Sequence, residues 1–192
     1  MSDDPQALLD FWFGAQGTPG CDELRMVWFR SDDAFDAALG ERFGALHETA
    51  AEGGVDRWAE TPEGALALVL LLDQLPRNLY RGAARAFSCD AKAREVASRA
   101  LARGFDASLT PVRRLFLYLP FEHSEDLADQ VRSVRLFAAI PPCTGHEAWL
   151  EIARKHHAII DRFGRFPHRN RALGRASTPE EEAFLNAPDS SF

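Results

Sequence analysis

The sequence predicts an all-α protein of roughly eight or nine helices, on three observations. Apolar residues recur at helical spacing, first in Leu8, Leu9, Trp12 and Phe13, then in Phe35, Leu39, Phe43 and Leu46. Start and stop signals bracket such segments: Asp4-Pro5, Thr61-Pro62 and Thr110-Pro111 open helices, and Gly14, Gly104 and Gly164 close them. No stretch of strand length alternates apolar and polar residues, and no hairpin dipeptide sits between β-branched runs.

Taken in order, the first helix starts at Asp4-Pro5, an acidic N-cap followed by a proline whose missing N–H costs nothing there. Gly14 stops it, and a glycine-rich loop runs to Gly20. Asp22 reads as the start of a short amphipathic helix ending in Val27, Trp28 and Phe29. Ser31-Asp32-Asp33 caps a longer helix that fades at Gly53-Gly54. After Thr61-Pro62 the pattern changes, because Ala65 to Leu72 is apolar on every side and belongs at the centre of the protein. Pro76 disfavours helix at Leu75 and removes a donor, which leaves the Leu72 carbonyl in need of another partner.

Asp90 or Ser88 caps a helix through Ala102. Thr110-Pro111 opens a second apolar helix, which ends at Leu117-Tyr118-Leu119-Pro120. Ser124 caps the next, and Pro141-Pro142 terminates it. Gly145 to Gly164 reads as one long helix, and Thr178-Pro179-Glu180-Glu181 as the capping box of a last short one. The spacing between helix starts is irregular, so no strict repeat is visible, although antiparallel helix pairs fit. Residues 1–186 read as one helical domain and 187–192 as a polar tail. Leu68, Leu72, Phe116, Leu119, Trp149 and Ile160 are expected in the core.

Composition narrows the function classes. A formal net charge of −7 argues against nonspecific nucleic-acid binding, which needs a basic face. Cys21, Cys89 and Cys143 are odd in number and far apart, with no C-x-x-C, as expected of reduced, mostly buried cytosolic thiols. The N-terminal MSDDPQ lacks the basic-then-apolar order of a signal peptide, and the longest apolar run is too short for a bilayer. The expectation is a soluble, cytoplasmic protein with neither nucleic-acid nor membrane partners. Walker and dinucleotide fingerprints are absent, so no cofactor is expected. Neither is a metal: there is no H-E-x-x-H, and adjacent His156 and His157 cannot face one ion from a regular helix.

Three polar corners stand out against this apolar background. Asp73, Gln74, Arg77 and Asn78 lie at the end of the most apolar helix, where burying them is expensive unless each is paired. Asp73 and Arg77 can pair across one turn while Gln74 and Asn78 satisfy the carbonyls that Pro76 frees; the same donors could grip an anion or amide. Glu122, His123, Ser124, Glu125 and Asp126 follow the second apolar helix, and a carboxylate-rich first turn explains three of them. Arg165, His168, Arg169, Arg171 and Arg175 make a positive stripe in a negative protein, with the amide of Asn170 among them. That stripe either docks on the acidic corner through bidentate pairs or points at an anion.

On the long helix, Trp149, Ile152, His156, Ile160 and Phe163 share a stripe, which makes His156 a core histidine holding a backbone carbonyl. His157 lies about 100° further round and four residues before Asp161. That spacing suits a surface pair, or a base oriented by a carboxylate.

LLLDQLPRNLYRG, FLYLPFEHSEDLADQ and HHAIIDRFGRFPHRNRALGR together resemble a bacterial family, domain of unknown function nine-two-four. LLDFWFG, Trp28-Phe29 and STPEEEAFL fit the same pattern. The resemblance implies a tetratricopeptide-like fold of stacked antiparallel helix pairs and no established reaction. Its motif positions here are Asp73, Gln74, Pro76, Arg77, Asn78, Glu122, His123, Ser124, Glu125, His157, Arg165, Pro167, His168, Arg169 and Asn170.

The leading expectation is one polar site where the corners meet, with Arg77, His123, His157 and His168 on a common cavity. It would bind a small anionic molecule or an acidic peptide segment. A hydrolase or transferase with a histidine acid or base is the alternative, and a purely structural network the third. A wide groove favours a peptide, a closed pocket with histidine beside carboxylate and arginine favours an enzyme, and fully paired side chains without a cavity favour structure alone.

Overall fold

Asp4 accepts a hydrogen bond from the Gln6 N–H and Pro5 takes the first helical position, so α1 runs Pro5–Phe13. The computed structural model describes residues 4–187, and the expected polar tail lies, past Ala187, outside the described residues. Asp32 caps α2 (Asp33–Ala51) through the Phe35 N–H, and Thr61 caps α3 (Pro62–Val69) through that of Gly64. Every regular element among the described residues is helical.

The short helix read from Asp22 does not form. Asp22 sits at φ +60°, away from the extended backbone in which an aspartate caps a helix, and pairs with Arg113 Nε at 2.8 Å. Only a 3-10 turn at Met26–Trp28 remains. Arg25 Nη1 and Trp28 Nε1 instead reach back to the Trp12 carbonyl, at 2.8 and 3.2 Å, and satisfy the end of α1. Trp28 then packs edge-on against Phe116, ring centres 5.0 Å apart.

Pro76 does not end its helix either. α3 continues through a π-helical turn (Leu70–Gln74) into α4 (Leu75–Leu79). In that wider turn the Leu75 N–H reaches Leu70 O, an i→i−5 bond. The same spacing would send residue 76 to Leu71 O, and proline has no N–H to send. Buried His47 of α2 takes its place, donating Nδ1 to Leu71 O at 2.8 Å. The carbonyl freed is therefore that of Leu71 rather than Leu72, because widening moves the pattern by one residue.

The chain is completed by α5 (Asp90–Ala102), α6 (Pro111–Glu122), α7 (Leu127–Ala138), α8 (His146–Phe163) and α9 (Pro179–Leu185). With α3 and α4 taken as one rod, the described residues hold eight helices. Gly145 and Gly164 flank α8 at φ +87° and +67°, and the Thr178–Glu181 capping box forms. Two capping expectations change. Cys89 holds the N-cap of α5, because the Asp90 carboxylate is taken by Arg77. Asp126 caps α7 while Ser124 Oγ donates to Asp129 at 2.7 Å. Pro120 lies inside α6, which runs on to Glu122. There Gln130 Nε2 donates to the Glu122 and Ser124 carbonyls, 2.6 Å each.

Ala65 to Leu72 is buried throughout, and the expected core residues are all 7% exposed or less. α3 is touched by α1, α5 and α6. α6 packs on α7 and α7 on α8 in the chain order of stacked pairs; α3 departs from that order. The cysteines are free and half-buried rather than mostly buried. No helix among the described residues is long and apolar enough to cross a membrane.

Candidate functional site

The polar ends of α4 and α6, the buried stripe of α8 and the 3-10 turn Pro167–Arg169 surround a cavity of about 490 Å³. Gln74, Arg77, Asn78, Glu122, His123, His168 and Arg169 line it. The rest of the wall is largely apolar and includes Trp28, Phe29, Phe87, Leu115, Leu119 and Trp149. Arg30, Arg81 and Ile152 stand at its exposed edge.

Asp73 lies directly behind this wall, fully buried. Its oxygens lie 2.8 and 3.0 Å from His123 Nδ1, 2.6 Å from Gln74 Nε2 and 3.2 Å from Arg77 Nη1. Burial opposes ionisation of Asp73, but Arg77 and His123 outweigh it and hold the carboxyl well below the usual carboxylate range. A carboxylate only accepts, so His123 Nδ1 carries the proton. Burial and Arg77 lower the His123 pKa against the pull of Asp73, which keeps the ring neutral with Nε2 as its basic atom. The Asp73–Arg77 pair thus forms as read, but Gln74 goes to Asp73 and Asn78 to Asp36, 2.6 Å away, because His47 has already served the freed carbonyl.

Arg77 also donates to both oxygens of Asp90, at 2.8 and 3.0 Å. Arg169 Nη2 donates to the His123 carbonyl at 2.9 Å, and Nη1 lies 3.5 Å from Asp90. The Arg169 guanidinium lies over the rings of Phe87 and Phe166, 4.7 and 4.5 Å from their centres. Burial, then Arg77, lowers its pKa to about 10.

Burial, and then the Asp73 charge, push Glu122 up to about 8, so at neutral pH it is a carboxylic acid. Its Oε2 and the Arg169 Nε are buried with no hydrogen-bond partner among the described residues. His156 Nδ1 donates to Ile152 O at 3.0 Å and stands 3.8 Å from Glu122 Oε1. Burial pushes His156 down to about 3, and burial with Arg169 pushes His168 down to about 4; both rings are neutral.

The remaining motif residues do not join the cavity. His157 is half-buried on α8 and absent from the wall; the turn of the helix gives that place to His156. Arg165 Nε and Nη2 clamp Glu181 at 2.6 and 2.8 Å, and Asn170 Nδ2 adds a bond to the same carboxylate at 3.2 Å. Glu125 pairs with Arg175 at 2.7 and 2.9 Å. This second cluster is internally satisfied and ties α9 and its approach to the start of α7. The docking of the positive stripe on the acidic corner is therefore real for Arg175 and Glu125.

The family model described as bacterial protein of unknown function, DUF924, matches residues 8–189. The chain belongs to that family. A solved structure titled as a protein of unknown function, ATU0120 from Agrobacterium tumefaciens, is 41% identical. The match covers 95% of this chain and 96% of that one, with a TM-score of 0.83. No curated protein matches the sequence.

In this DUF924 chain the sequence reading missed the apolar half of the cavity. Trp28, Phe29 and Phe87 carry no polar signal, and a helix start already accounts for Asp90. Helical spacing puts His156 on the buried face, but spacing does not distinguish a face against core from one against a cavity. Among the described residues, no three histidine, cysteine or carboxylate groups are gathered to hold a metal ion.

Proposed function

We propose that the cavity binds a small molecule with an anionic end and an apolar body. The observation that carries this is a volume of about 490 Å³ with aromatic and aliphatic walls and two guanidinium groups, Arg77 and Arg169, flanking one ring, Phe87. Asp73 and Asp90 largely balance those two cations, while Arg30 at the mouth makes no ion pair among the described residues. One anionic group, rather than a run of acidic residues, matches that surplus. The compact volume supports a small molecule over an acidic peptide.

Thermal shift with 3-phenylpropionate, 3-phenylpropanol and inorganic phosphate tests this. A ligand at 100 times its Kd stabilises the native state by about 2.7 kcal/mol. The acid should raise Tm clearly more than the alcohol or phosphate, and Arg30→Ala should weaken its effect without lowering the Tm of the free protein. Equal shifts with acid and alcohol, or none with the acid, would reject the reading.

A further inference from the structure

We infer that this cavity catalyses proton transfer beside a carbonyl, interconverting a small 2-oxo carboxylate and its enol, with His123 as base at carbon and Glu122 as acid at oxygen. The inference rests on the small-anion reading and names its substrate class. Four features of the cavity correspond to four parts of such a molecule. The apolar walls take an aromatic or branched body, and the guanidinium groups take the carboxylate. Glu122, 3% exposed and with Oε2 lacking a partner, supplies a hydrogen-bond donor for a neutral carbonyl oxygen when protonated. His123, fixed through Nδ1 by both oxygens of Asp73, keeps Nε2 for a carbon acid.

The step balances without a co-reactant. The C3–H bond of the 2-oxo acid breaks and its proton goes to His123 Nε2. The electron pair forms the C2–C3 double bond, and the carbonyl oxygen takes the Glu122 proton. The imidazolium then releases a proton to solvent and Glu122 recovers one, so nothing is oxidised or reduced. The wall also favours proton transfer over covalent catalysis. Among the described residues that line the cavity there is no serine, threonine, cysteine, lysine or tyrosine. The buried Glu122 acid beside the neutral His123 base is the acid–base division that such a step needs.

Proton NMR of phenylpyruvate in D2O, with the full chain added, reads the exchange of its C3 protons directly. Binding of 3-phenylpropionate, which has no carbonyl, is measured in parallel. The protein should accelerate exchange above buffer, and His123→Gln should cut the acceleration roughly 100-fold or more while still binding 3-phenylpropionate. If circular dichroism shows that variant unfolded, Glu122→Gln takes its place under the same criteria. Exchange equal to buffer, or unchanged in the variant, with 3-phenylpropionate still bound, overturns the proton transfer and leaves the small-anion reading standing. Failure of both acids to bind overturns both.

Discussion

Arg175 grips Glu125 through two parallel hydrogen bonds, Nη1 to Oε2 at 2.7 Å and Nη2 to Oε1 at 2.9 Å. The same Glu125 Oε1 accepts the Phe166 N–H at 2.8 Å, and Arg175 Nη2 donates to the Phe166 carbonyl at 3.1 Å. One ion pair thereby fixes the residue that leads into the cavity wall at Pro167–Arg169. Arg175→Ala should cost roughly 1–3 kcal/mol, since it strands a half-buried carboxylate. Urea unfolding of Arg175→Ala, Glu125→Ala and the double variant checks this. Additive losses would mean the two residues act independently.

His47→Ala should be destabilising by roughly 1–3 kcal/mol, although His47 lies outside the cavity wall. Its Nδ1 is the donor that Leu71 O receives in place of the N–H that Pro76 lacks. The loss should be smaller in His47→Asn if the shorter amide reaches the same carbonyl. A variant as stable as the parent would show that the π-helical turn does not need the histidine.

Leu72→Ala should cost roughly 2–5 kcal/mol, because its side chain is fully buried in the central rod. A loss below about 0.5 kcal/mol, the size common at exposed sites, would contradict the placement of this rod.

Glu122 should make the native state less stable as the pH rises. Its folded pKa of about 8 exceeds the ordinary 4.5, so between the two the native state keeps a proton that the unfolded chain has released. This contribution is fully present below about 4.5 and is lost as the pH rises through about 8. The groups facing it are Asp73, whose charge deepens the effect, and the neutral rings of His156 and His123. Glu122→Gln should therefore flatten the fall in Tm between about pH 5 and 9. Parallel curves for parent and variant would place the titration elsewhere.

The helices were legible because their signals are local: Asp4-Pro5, Thr61-Pro62 and the Thr178–Glu181 box each act within one turn. Asp73, Arg77 and His123 were legible as polar residues ending apolar helices, where burial demands partners. What lay beyond reach was non-local. Arg77 chooses Asp90, thirteen residues away, and Asn78 chooses Asp36 across the helix pair. The exchange of His157 for His156 has the same origin, since a helical stripe says which side is inside but not where the inside is hollow. Pro76 misled because the rule against proline assumes α geometry, and His47 together with the wider turn removes that assumption.

An i→i−5 turn holds one residue more than the helix around it. Deleting a single residue from Leu70–Gln74 would return the rod to α geometry and set the Pro76 ring against the carbonyl four residues before it. The rod beyond would keep nearly its present rotation, with Arg77 toward Asp90 and Asn78 toward Asp36, because the wide turn already absorbs the extra residue. The extra residue is thus the room that the proline needs, and the loss of one peptide unit would cost the rod its accommodation of Pro76 while leaving the polar corner facing the same way.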